Sequence, residues 1–221
     1  MKAVISADII GYSKLAPQRA DEVLDGLKQF LKEQKEINTA NNLSPDFKIK
    51  RGDALQIVLS DASDALGLAL MLKATVTQIA FTDDNKRRHP DIDIRMAIGL
   101  GAIENQKIKV DESTGEAFIY SGRTLDTMKR EKRTFAIKTP NHDWNRELDT
   151  AFQLLEVILS GWNITSAELV YLLLKGLNET QIAEQLNISQ PAVNQRKKRA
   201  GWTGIEALLI RYKEITNPIN S

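Results

Sequence analysis

The sequence predicts an α+β fold: a ferredoxin-like βαββαβ sheet domain followed by an all-α domain. Three observations carry this. The first hundred residues alternate β-branched runs with helical apolar spacing, in the order strand, helix, hairpin, helix, strand. A polar, proline-broken segment from Thr139 to Asp143 then interrupts the pattern. Beyond it the spacing is helical and punctuated by capping residues. The expected division is a sheet domain at 1–140, a connecting helix at 144–160 and a helical domain at 161–221.

Lys2 to Ala7 is apolar and β-branched, as a buried strand is, and Asp8 to Ser13 leaves it. From Pro17, the residues Val23, Leu24, Leu27, Phe30 and Leu31 share one helix face. Phe47 to Lys50 alternates, Arg51-Gly52-Asp53-Ala54 reads as a tight turn, and Leu55 to Leu59 completes a hairpin. Leu66, Ala69, Leu70, Val76 and Ile79 mark a second long helix, and Thr82 to Asp91 a polar loop. Ile92 to Ile98 is a strand ending in Gly99-Leu100-Gly101. Phe118 to Lys129 is a helix, Thr134 to Lys138 a short strand, and Trp144 to Leu159 the connecting helix.

Composition bounds the chemistry. The chain has 221 residues, 42% hydrophobic and 27% charged, enough apolar material for a core. It has no cysteine, which excludes disulfides, thiolate zinc sites and cysteine nucleophiles and fits a reducing cytoplasm. The N-terminus lacks a signal-peptide pattern, and no apolar run reaches the roughly 18 residues of a membrane span. The expectation is a cytoplasmic protein with no membrane partner. Net charge is +1, so any signal for nucleic acid is local.

Such a signal lies near the C-terminus. Thr165 to Glu168 reads as a capping box, and Leu169, Leu172 and Leu173 give its helix an apolar face ended by Gly176. Asn178 with Gln181 caps the next helix, which Ile182, Ala183 and Leu186 anchor. Asn187-Ile188 is a short turn, and Ser189 caps a further helix that tolerates Pro191 in its first turn and turns Val193 inward. Thr203 to Glu206 reads as another capping box, opening a closing helix through Tyr212. Two short helices joined by a tight turn, the second opening with amides and ending basic, match a recognition helix for double-stranded DNA. Gln190, Asn194 and Gln195 can hydrogen-bond base edges, and Arg196, Lys197, Lys198 and Arg199 complete the DNA-binding candidates as phosphate-neutralising cations. A basic run is also an ordinary solvated helix end.

Two aspartates stand out in the sheet domain. Asp8 follows the first strand and Asp53 lies in the hairpin turn beside it, so both are candidate ligands for Mg²⁺ or Mn²⁺ carrying a nucleotide phosphate. Lys48, Lys50, Arg51 and Arg123 are candidate phosphate contacts, the last three forming the nucleotide-binding set. Aspartates also fill turns and bond backbone amides, and Arg123 can pair with Asp126. His89 and His142 lie far apart, which speaks against a histidine metal site. Ser13 and Ser121 show no histidine base, so a hydrolase has no support.

Ser6-Ala-Asp8-Ile-Ile-Gly-Tyr-Ser13 resembles the first metal motif of class III nucleotide cyclases, and Gly52-Asp53 their second. Arg95 to Gly101 resembles the strand that follows. Gly115 to Arg123 resembles their Gly-x-x-Val-Asn-x-Ala-Ala-Arg helix, with Ile119 at the asparagine position and only Arg123 retained. The resemblance implies a palm-like fold with a nucleotide pocket, while Ile119 argues against catalysis, and no catalytic residue is assigned. Asp8-Ile-Ile-Gly, Arg51 to Gln56, Arg95 to Gly101, Gly115 to Phe118 and Gln181 to Val193 together resemble the SatD family. The last segment also resembles sigma-factor region 4 and LuxR-type helix-turn-helices. This implies a cytoplasmic bacterial regulator. The expected function is a DNA-binding, homodimeric transcriptional regulator whose sheet domain senses a nucleotide or dimerises. The alternatives are a metal-dependent nucleotidyl cyclase or transferase with an accessory helix-turn-helix, and a protein-binding helical domain.

Overall fold

A computed structural model describes residues 1–39, 46–50, 53–81, 91–104 and 114–217. Five strands, β1 (Lys2–Ile10), β2 (Asp46–Lys50), β3 (Ala54–Leu59), β4 (Asp93–Gly101) and β5 (Phe135–Lys138), form one sheet in the order β2-β3-β1-β4-β5. The β1–β4 pairings are antiparallel, with α1 (Pro17–Thr39) and α2 (Ala65–Phe81) in the crossovers, which is the ferredoxin-like βαββαβ order. α3 (Glu116–Glu131) then leads to β5, which lies parallel to β4. The predicted loop from Thr82 to Asp91, including His89, lies outside the described residues as far as Pro90.

Strand alternation sorts the two faces of the sheet. Ala3, Ile5, Ala7 and Ile9 of β1 join Ile57, Ile94, Ile98 and Phe135 in the main core with α1 and α2. α4 (His142–Ser160) packs against β5, its Phe152 ring 4.9 Å from that of Phe135. The opposite face presents Val4, Ser6 and Asp8, and α3 covers it. A Cβ on Gly99 would stand 2.2 Å from the Ala117 carbonyl and 2.5 Å from the Ser121 nitrogen, so the missing side chain lets α3 lie directly on β4. Ser121 is held there by a 2.9 Å hydrogen bond from the Ser6 hydroxyl.

β1 runs three residues further than the sequence suggests. Asp8, Ile9 and Ile10 continue the ladder opposite Arg95, Ile94 and Asp93, and Gly11 ends it at φ 88. Asp8 is therefore a strand residue with fixed cross-strand neighbours.

After α4 come α5 (Ile164–Leu174), α6 (Glu179–Leu186), α7 (Gln190–Ala200) and α8 (Trp202–Thr216). α5 packs on α2, and Ala167, Val170, Trp202, Ile205, Tyr212 and Ile215 belong to the same core as the sheet. α6 and α7 differ. With Leu169 and Leu172 of α5, their Ile182, Ala183 and Val193 form a separate small core, while Ala200 at the end of α7 joins the main one.

Two predicted caps are displaced. α5 is capped by Asn163, whose side chain accepts from the Ser166 amide, and Thr165 donates its hydroxyl to Asn163 instead of capping. Asn163→Ala should lower stability by about 1 kcal/mol and Thr165→Ala by less, as read from urea denaturation. α8 starts at Trp202 without a side-chain cap, because Gly201 at φ 69 turns the chain from α7 into α8 in one residue. The Thr203–Glu206 box is thus already inside the helix. Burial of Trp202 fixes this start, and Trp162 Nε1 donates to the Ala200 carbonyl at 3.0 Å.

Two phenols, Tyr212 buried and Tyr171 partly buried, tie the late helices to the body. Tyr212 donates to the Ala62 carbonyl at 2.9 Å, and Tyr171 to Glu33 Oε2 at 3.2 Å. Burial, then the charges of Asp61 and Asp64, hold the Tyr212 phenol far above its ordinary range, while burial and Glu33 push Tyr171 up to about 12. A phenol raised on folding contributes no pH dependence while both states are protonated. Once the unfolded chain ionises near pH 10, stability falls as pH rises, by up to ~1.4 kcal/mol per pH unit for Tyr212. Melting temperatures should therefore drop steeply above about pH 10. Tyr212→Phe should melt lower at neutral pH, because the Ala62 carbonyl, which also accepts from the Ala65 amide, loses its second donor, yet decline less steeply in alkali.

Candidate functional site

On the α3-covered face, Asp8 and Arg95 are direct cross-strand partners. Arg95 Nη1 donates to both Asp8 oxygens at 3.2 Å, and its Nε reaches the Arg133 carbonyl at 3.1 Å. Lys129 of α3 places Nζ 3.0 Å from Asp8 Oδ2. The Asp8 and Arg95 side chains are only 15% and 16% exposed, so solvent screens the pair weakly. One carboxylate is thus clamped between two cations.

This arrangement does not fit the expected Mg²⁺ or Mn²⁺. A divalent cation beside Asp8 would sit against Arg95 and Lys129, and like charges at such range repel strongly where water is scarce. Asp53 lies across from Ile9, one position past the residue that faces Asp8, and its carbonyl accepts from the Ile9 amide at 2.8 Å. Among the described residues no group of three histidines, aspartates or glutamates could hold a metal ion. Of the nucleotide-binding candidates, Arg51 and the Lys50 side chain lie outside the described residues. Arg123 is exposed on α3 and lines a groove of about 570 Å³ between α3, β5 and α4 with Arg133, Lys138 and Arg146. Ile119 is 48% exposed one turn earlier.

The expected helix end at Lys129–Arg133 is more engaged than a solvated run. Lys129 holds Asp8, while Arg133 bonds Asp149 at 2.6 Å, Glu156 at 3.1 Å and the Phe135 carbonyl at 3.2 Å, tying α4 to β5.

The second candidate site is the α6–α7 pair. α6 opens with a complete capping box: Asn178 accepts from the Gln181 amide and Gln181 from that of Asn178. Asn187 turns left-handed at φ 51, Ile188 packs on the small core, and the Ser189 side chain accepts from Ala192. Three residues thus separate the two helices. Val193 and Ala200 bury one face of α7. Pro191, Asn194, Gln195, Lys198 and Arg199 occupy the exposed face, with Gln190 at its start donating to Thr180 Oγ1 at 2.9 Å. Arg196 and Lys197 turn back: Arg196 pairs with Glu168 of α5 at 3.3 Å and Lys197 with Glu179 of α6 at 2.6 Å. Lys198 and Arg199 have no ion-pair partner among the described residues, and α7 contains no acid. Glu168, read from the sequence only as part of a capping box, and Glu179, which the sequence did not single out, brace α7.

Fold and topology define an α+β protein in which a ferredoxin-like sheet, extended by one parallel strand, carries a C-terminal helical layer. No protein-family model and no curated protein matches the chain. Among solved structures, it is similar to the active GGEEF domain of a diguanylate cyclase from Vibrio cholerae, at 17% identity over 64% of this chain and 83% of that one, with a TM-score of 0.43. It is also similar to a guanylyl cyclase, at 13% identity over 57% of this chain and 69% of that one, with a TM-score of 0.39. Among the described residues no helix is long and apolar enough to cross a membrane.

Proposed function

We infer that this chain is a DNA-binding transcriptional regulator in which α6 and α7 act as a helix-turn-helix and α7 as the recognition helix. The observation that carries the reading is the outer face of α7, where amides sit together with cations that have no ion-pair partner among the described residues, on a helix whose other face is anchored. Eleven helical residues span ~16 Å, a length suited to a major groove about 12 Å wide. Asn194 and Gln195 read base edges, and Lys198 and Arg199 meet phosphates. Arg196 and Lys197 brace α7 against α5 and α6, so their contribution to DNA is mostly positional. One recognition helix covers few base pairs, so the reading includes a homodimer on half-sites one helical turn apart, with the sheet domain as sensing or dimerisation body. Against the cyclase alternative stands the pairing of Asp8, its first metal candidate, with Arg95 and Lys129. The test is competition between a labelled duplex and the single strand of the same sequence. Groove entry requires the duplex to bind more tightly, and equal retention of the single strand would overturn it.

A further inference from the structure

A cavity of about 430 Å³ lies in the seam between the sheet body and the late helices, and no motif in the sequence points to it. Its walls come from both sides: Leu68 and Met71 of α2 on one, Leu173 of α5 with Trp202 and Leu209 of α8 on the other. This volume falls in the range of small-molecule sites, which combine an apolar wall with a few convergent polar groups.

Here the polar groups gather in two places. Asp61 and Asp64, in the connection between β3 and α2, line the cavity together with Lys213 of α8. Asp64 is within electrostatic reach of both Asp61 and Lys213, and both carboxylates act on the Tyr212 hydroxyl. Two carboxylates and one ammonium thus share that end of the cavity. Lys175, on the α5 side, is drawn over the Tyr171 ring, 5.6 Å from its centroid. Between these places the wall is apolar. Gly67 of α2 also lines the cavity, and among the described residues nothing packs within 4 Å of where its Cβ would be, so the helix surface is open at this point.

We propose that this seam cavity is a binding site for a small cationic amphiphile, whose apolar body lies among Leu68, Met71, Leu173, Leu209 and Trp202 and whose ammonium meets Asp61 and Asp64. An occupant touches α2, α5 and α8 at once and so fastens the helical layer to the sheet body. The proposal stands independently of DNA binding.

The test is isothermal titration of the full chain with 4-phenylbutylamine, against the matched alcohol and carboxylate, 4-phenylbutanol and 4-phenylbutyrate. The amine should bind saturably and raise the melting temperature, with the two analogues weaker by about tenfold or more. Gly67→Leu adds a side chain into open space at a helical position, so it should fold and cut amine affinity by about tenfold. Asp64→Asn should cut it several-fold. Absence of saturable amine binding, tighter binding of the carboxylate, or full amine affinity in a folded Gly67→Leu protein would each overturn the proposal. Should Gly67→Leu fail to fold, unchanged amine affinity in Asp64→Asn does the same.

Discussion

Replacing Lys198 and Arg199 together by glutamate is expected to weaken duplex binding by about two orders of magnitude while leaving the fold unchanged. Both side chains are exposed on α7 and pair with nothing among the described residues, so no internal contact is lost. The substitution removes two phosphate-neutralising charges and installs two repulsive ones. Asn194→Ala with Gln195→Ala should behave differently: a loss of roughly 1–3 kcal/mol per specific contact, confined to the preferred sequence, with salt dependence unchanged. Lys197→Glu is a separate case. It breaks the 2.6 Å pair with Glu179 and places like charges together, so any loss of DNA affinity should come with a loss of stability. Anisotropy titrations with parallel thermal melts separate these effects. An undiminished affinity in the Lys198/Arg199 variant would remove α7 from the interface.

Asp8→Asn is expected to destabilise the protein by roughly 2–3 kcal/mol, because it strips the counter-charge from a mostly buried Arg95 and from Lys129. For a chain of this length that is a fall of about 5–10 °C in melting temperature. A metal-binding carboxylate predicts the opposite. Carboxylates gathered for a cation repel when the cation is absent, so neutralising one stabilises the empty protein, and Mg²⁺ raises its melting temperature. Here Mg²⁺ and Mn²⁺ should leave the melting temperature of the unaltered protein where it is. A stabilised Asp8→Asn variant, or a clear upward shift with Mg²⁺, would restore Asp8 as a metal ligand.

What could be read in advance was local. The Asn178–Gln181 box, the Asn187-Ile188 turn, the Ser189 cap and the inward Val193 lie within 16 consecutive residues, and their chemistry is complete at that range. The hairpin between Phe47 and Leu59 was likewise visible from alternation around a turn. The clamp on Asp8 was not. Arg95 is 87 positions away, and only the register of β1 against β4 brings the two together. The same ladder keeps Asp8 inside a strand where the sequence suggested a loop. Asn163 was overlooked because Thr165-Ser-Ala-Glu168 offers an equally plausible cap two residues later. Nor could local patterns reveal that Trp202 and Tyr212 pack into the core of the sheet, while α6 and most of α7 pack with α5 on a small core apart from it. That distinction separates the part of the helical layer built into the body from the part free to meet a partner.

The most direct test of the central claim is the affinity of the full chain for duplex DNA across a salt series. Two phosphate contacts per chain predict a slope of log K against log salt of about −1.8 for a monomer, and about twice that for a dimer. The Lys198/Arg199 glutamate variant should lose that slope along with its affinity. A duplex affinity that stays constant between low and high salt, or no duplex binding at low salt, would contradict the account and move α7 to a different class of partner.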